Sequence, residues 1–155
     1  MKKIQLLIGI LSTMPLVLQT AFATPPDVTV MYKEGVGNYL VDANGRTLYW
    51  SKMDSPKTSK CTGACLEQWP PFFNEAILTA DPEMSSSDFG TIIRPDGKKQ
   101  TTFRGYPLYY FNQDRGRGDT SGHKVKGAWW AMQPGRFHLV EKYSTGYSMT
   151  VGSID

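Results

Sequence analysis

Hydrophobic and polar positions alternate along most of the chain in short runs broken by turn residues, the signature of half-buried strands. Val28 to Tyr32 has strand composition and ends at Glu34-Gly35. Asn38 to Val41 and Arg46 to Trp50 then flank Asn44-Gly45, a strong hairpin signal because both residues tolerate positive φ. Phe89 to Arg94, Lys99 to Phe103 and Tyr106 to Phe111 repeat that plan around Pro95-Asp96-Gly97 and Arg104-Gly105. Each half therefore predicts a three-stranded antiparallel meander. An irregular arm follows each meander and ends in tryptophan: Ser55 to Phe73, with a short helix over 62–68 stopped by Pro70-Pro71, and the glycine-rich Arg115 to Lys126. Ala128 to Met132 and Phe137 to Val140 predict two more strands around Pro134-Gly135. No long amphipathic helix is predicted.

The two halves are copies. Laying Gly45-Arg-Thr-Leu48-Tyr49 on Gly105-Tyr-Pro-Leu108-Tyr109 without a gap also superposes Asp54 on Asp114 and Trp69 on Trp129. Such a ladder of coincidences implies a duplicated unit. The expected fold is mainly β, two pseudo-symmetric meanders packed as one small sandwich or barrel-like domain. Its repeats run over about 28–73 and 89–132, Thr79 to Ser87 links them, and a C-terminal strand segment follows.

Residues 1–23 are set apart. Lys2 and Lys3 precede an apolar run that ends in Ala21-Phe22-Ala23, the pattern of a secretory signal peptide cleaved after Ala23. Thr24, not cysteine, stands at the cleavage point, so no lipid or membrane anchor is expected on the mature domain of residues 24–155, and a periplasmic or secreted location is. The net charge is +3, and the signal's two lysines supply most of it. A nearly neutral mature chain makes no case for nucleic acid as partner.

The repeated tyrosines and aspartates, Tyr49 with Asp54 and Tyr109 with Asp114, read as scaffold. Each Asp falls just past a strand, where it can accept backbone N–H groups and pin the arm, with the Tyr of its own copy clamping strand to arm. The leucine before each tyrosine should face the opposite way.

These residues carry a resemblance. Leu108 to Asp114, Gly118-Asp-Thr-Ser-Gly122 leading to Trp129-Trp130, and Cys61-Thr-Gly-Ala-Cys65 before Trp69-Pro-Pro71 resemble a bacterial family of secreted repeats with a Tyr-x-[Phe/Trp/Tyr]-x-x-Asp motif, some of them lipoproteins. The resemblance implies an exported domain of unassigned activity, with Phe111 as the motif aromatic. Ser51 stands at that position in the first copy.

Cys61 and Cys65 are the only cysteines, and in an exported chain a disulfide that braces the arm before Trp69 is the first expectation. The alternatives are a thiol-redox centre, or a copper or zinc site using both thiolates with His123 and with Met53 or Met132. Leu66 after Cys65 excludes the Cys-x-x-Cys-His of covalent haem. His123 and His138 are otherwise ordinary polar positions, and Arg117-Gly118-Asp119 is read as loop chemistry. No nucleophile elbow, zinc-protease helix or phosphate loop is present. No catalytic, cofactor or metal residue is assigned. Trp130, Pro70, Pro71 and His123 are the candidate binding surface, for an unknown envelope protein or small ligand.

Overall fold

The computed structural model describes residues 24–136, so the signal segment and the strand expected at Phe137 to Val140 lie outside the described residues. Within them the chain is mainly β, as expected. β1 (Val28–Lys33) and β2 (Gly37–Asp42) form an antiparallel hairpin, and β4 (Phe89–Ile93), β5 (Lys99–Phe103) and β6 (Tyr106–Pro107) form a three-stranded antiparallel sheet. The only α-helix among the described residues is α1 (Ala64–Gln68), inside the segment predicted for it. The strands make small sheets and no closed barrel. None of the described helices is long and apolar enough to cross a membrane.

The turns follow from local chemistry. At Asn44-Gly45 the Asp42 carboxylate accepts the N–H groups of Asn44 and Arg46 at 2.9 and 2.8 Å, and Gly45 takes φ +78°. That turn brings Thr47 beside Val41 in a single bridge and lets Leu48 N–H donate to Leu40 O at 2.9 Å, so the third run of the first copy lies along β2 without joining its two-stranded sheet.

The arms do what the sequence does not announce. β7 (Trp129–Ala131), the end of the second copy's arm, pairs antiparallel with β3 (Tyr49–Ser51) of the first copy. Pro71, at the end of the first copy's arm, pairs with Tyr109 of the second. Met132 donates its N–H to Leu48 O at 2.8 Å, and Phe72 donates to Leu108 O at 2.9 Å, the same bond in both copies. Each arm thus leaves its own repeat and completes the sheet of the other. At the centre Tyr49 and Tyr109 exchange backbone bonds, N to O 2.8 and 2.9 Å, so the strand order is arm two, strand one, strand two, arm one.

Strand alternation divides the core between the two faces of this central layer. Leu40, Leu48, Trp50, Phe72, Leu108 and Met132 pack on one side with Val28 and Phe103. Tyr39, Val41, Tyr49, Trp69, Tyr109, Phe111 and Trp129 pack on the other. The leucine and tyrosine of each copy therefore do face opposite ways.

Candidate functional site

The tyrosine-bearing face brings the repeated residues together, with exchanged partners. The Tyr49 hydroxyl donates to Asp114 Oδ2 at 2.7 Å, and the Tyr109 hydroxyl donates to Asp54 Oδ2 at 2.8 Å. Each carboxylate's other oxygen holds its own arm, Asp54 accepting Lys60 N–H at 2.7 Å and Asp114 accepting Ser121 N–H at 3.0 Å. The arm-pinning role expected of the aspartates is present. The clamp within one copy is not, because the antiparallel Tyr49 and Tyr109 pair points each hydroxyl past the centre toward the opposite arm.

Burial, then the neighbouring carboxylate, raises both tyrosine pKa values, so these hydroxyls remain donors. Burial also raises Asp54, and pushes Asp114 up to about 6, Asp119 adding to the rise while Tyr49, Ser121 and Lys33 oppose it. Folding therefore disfavours ionised Asp114. Its penalty is full above pH about 6 and is relieved as the pH falls toward the ordinary value of 3.8. Wild-type stability should gain from this group over that window, while Asp88, Asp96 and Asp119, whose values are lowered, lose theirs only on further acidification. Asp114→Asn keeps an oxygen for Tyr49 and removes the titration. Denaturant midpoints between pH 4 and 7 should be flatter for this variant than for wild type; equal slopes would refute the assignment.

The two pseudo-equivalent sites have different surroundings. Around Asp54, Ser59 Oγ lies 2.7 Å from the Tyr109 hydroxyl, and buried Arg94 donates to Ser59 Oγ at 2.9 Å, to Cys61 O at 2.7 Å and to Gln100 Oε1. Gln100 Nε2 in turn donates to Leu108 O at 2.7 Å. Around Asp114 the surroundings are wetter: Tyr39 and Lys33 donate to Gly118 O at 3.2 and 3.4 Å, and Asp119 binds Arg115 N–H and the Ser121 hydroxyl. Arg94, Gln100 and Ser59 escape a sequence reading because each sits in an ordinary strand or loop pattern. The available signal is internal: with one extra residue allowed in the Asn44-Gly45 turn of the first copy, Lys33 falls on Arg94, a cation in both copies.

At the centre of this face Trp69 and Trp129 stack at 3.8 Å and 3° between ring planes, and Phe111 lies 4.3 Å from Trp69. Gly122 is required here. A Cβ on it would lie 2.9 Å from the Tyr49 ring and 3.0 Å from Phe111. The first copy reverses the sizes, with Ser51 at the position of Phe111; and because Lys60 N–H bonds Asp54 as Ser121 N–H bonds Asp114, this part of the second arm runs one residue longer and Cys61, 1% exposed, takes the position of Gly122. Part of the bulk removed at the first position thus returns at the second. Cys61 is joined to Cys65 by a disulfide.

The family of secreted repeats of unknown function matches the chain over residues 31–72 and 90–133, one match per structural copy. The chain belongs to that family. No curated protein and no solved structure matches it. As a secreted repeat it is an exported protein, and its family carries no assigned activity.

In this secreted repeat the other candidate residues are dispersed. Trp130 is half-buried opposite Trp50, with His123 at 5.3 Å ring to ring, and His123 Nδ1 accepts Ala131 N–H at 3.2 Å. Pro70 and Pro71 lie on the opposite outer strand, where Pro70 O accepts Tyr110 N–H at 2.8 Å. Two strands thus separate the Trp130 corner from the Pro70 corner. Met132 is fully buried and Met53 is 52% exposed. No group of three or more His, Cys, Asp or Glu side chains placed to hold a metal ion occurs among the described residues.

Proposed function

We propose that this exported protein is a non-enzymatic binding or interaction module of the cell envelope, released by cleavage after Ala23 without a lipid. The observation that supports this reading is the commitment of both motif carboxylates. Asp54 and Asp114 each spend one oxygen on a tyrosine of the other repeat and the other on the backbone of their own arm. A general acid or base needs a carboxylate open to substrate, whereas these hold two repeats together. What differs between the copies, outside that shared frame, is then where recognition resides.

A redox or copper- or zinc-handling role for Cys61, Cys65 and His123 is the other reading, and half-buried Cys65 at the edge of the arm is in its favour. The redox and metal state of protein purified from the exported compartment separates the two. The module reading expects an intact mass beginning at Thr24, cysteines that resist alkylation under denaturing conditions until reduced, and no stoichiometric metal. Free thiols with one copper or zinc per chain would overturn it.

A further inference from the structure

The three-stranded sheet ends at β4, whose outer edge pairs with nothing among the described residues. The bonds that flank the β4–β5 ladder, Arg104 N–H to Asp88 O at 2.6 Å and Arg94 N–H to Lys98 O at 2.8 Å, fall on even-numbered residues of this strand. An antiparallel ladder uses every second residue. Thr101, opposite Thr91, accordingly bonds away from β4, to Phe72 O and to Leu108 N–H. The backbone groups of Phe89, Thr91 and Ile93 therefore point outward, and of these Ser86 O takes the N–H of Phe89.

Natural sheets blunt an open edge with lysine, proline or an inward-pointing charge. β4 reads Phe-Gly-Thr-Ile-Ile, with none of these, and Ile93 is 66% exposed. Its counterpart in the first copy, β1, is protected. Leu78 O accepts the N–H groups of Asp27 and Val28 at 2.8 and 3.4 Å, covering the start of that edge, and Lys33 ends it. A further strand can lie along the whole of β4 but not along the whole of β1.

We propose that β4 is a self-association edge, on which a second copy of this chain adds its own β4 antiparallel about a two-fold axis through Thr91. The register follows from the parity of the outward groups. Thr91 faces Thr91 of the second copy and exchanges both backbone bonds with it, and on each side of the axis Ile93 N–H donates to Phe89 O across the interface. These bonds use every open group except Ile93 O. Residues directly opposite share a face, so exposed Ile93 lands beside Phe89 of the second copy, which with Asn74, Ile77, Thr91 and Thr101 lines a cleft of about 240 Å³. Charge selects this occupant over an unrelated extended peptide. The axis sets the turn after one β4 beside the segment before the other. The turn carries exposed Lys98, with no carboxylate within ion-pair distance among the described residues, and the segment carries Asp81 and exposed Glu83. Asp96, in the same turn, is already held by Arg94 at 3.6 Å. An interface of one strand and its flanks is small, so the dimer is weak and reversible.

The test is sedimentation equilibrium of the full mature protein from about 10 μM to about 1 mM, beside amide hydrogen exchange at Thr91 and Ile93 over the same range. A monomer–dimer equilibrium is expected, with both amides exchanging more slowly as the dimer fills. Ile93→Lys sets an ammonium against Phe89 of the second copy and should weaken the dimer about tenfold or more. Its unfolding midpoint should not move, because the side chain it replaces is exposed. Tyr32→Lys, the equivalent change on β1 at a residue 72% exposed, should leave the dimer intact. A monomer throughout, a dimer that survives Ile93→Lys, or one lost equally in Tyr32→Lys would each overturn the proposal. So would amides protected alike at every concentration, the result if another part of the same chain covers this edge. The module reading does not depend on this edge and falls instead to free thiols carrying metal.

Discussion

Separated into residues 24–80 and 81–155, the two halves should each be unfolded, and mixing them at equal concentration should restore the native fold. The reason is the exchange of arms. Without the second half, Tyr49 loses both backbone bonds to Tyr109, Leu48 O loses Met132, and the Tyr49 hydroxyl loses Asp114. The second half alone loses Phe72 from Leu108 O and from Thr101 N, and loses Asp54 from Tyr109. Each fragment would also expose a tryptophan from the stacked pair, whose truncation in a core costs about 3–5 kcal/mol. Against a total stability of roughly 5–15 kcal/mol for a domain, no fragment of this size survives such losses. Amide dispersion in NMR spectra of each fragment and of the mixture reads the outcome directly. A well-dispersed spectrum from either fragment alone would show that the repeat, not the pair, is the folding unit.

Removing Asp54 should be the costliest change among the motif residues. Asp54→Ala takes an acceptor from the Tyr109 hydroxyl and from Lys60 N–H, and removes the charge that interacts with buried Arg94. Leaving two donors unsatisfied, one of them the fully buried Tyr109 hydroxyl, costs about 1–3 kcal/mol each. Asp114→Ala, in wetter surroundings, should cost about 1–3 kcal/mol, the range for leaving a buried donor unsatisfied. Double-mutant cycles then show which residues are coupled. Tyr49→Phe should couple to Asp114→Ala, and Tyr109→Phe to Asp54→Ala, by roughly 1 kcal/mol or more. The pairs within one copy, Tyr49 with Asp54 and Tyr109 with Asp114, share no direct bond and should add. Coupling within the copies and additivity across them would contradict the exchange.

Most of the local structure was legible along the chain. Alternation placed the strands, Asn44-Gly45 and Pro95-Asp96-Gly97 placed turns, and the proline pair after Trp69 bounded α1, because each depends on residues a few positions apart. The duplication and the membership it implies were legible for the same reason, being a comparison of the sequence with itself. The partner of each repeated residue was not. A Tyr-x-x-x-x-Asp spacing reads identically whether the hydroxyl meets the carboxylate of its own copy or of the other, and only the crossing of the arms decides between them. Arg94 and Gln100 were hidden likewise, since a strand pattern marks which residues alternate and not which polar ones will be buried around Asp54. Lys52 and Trp130 stand far apart in sequence, and they meet only because β7 lies against β3. Local sequence determined the elements; long-range strand exchange, which no local propensity encodes, determined which side chains those elements bring together.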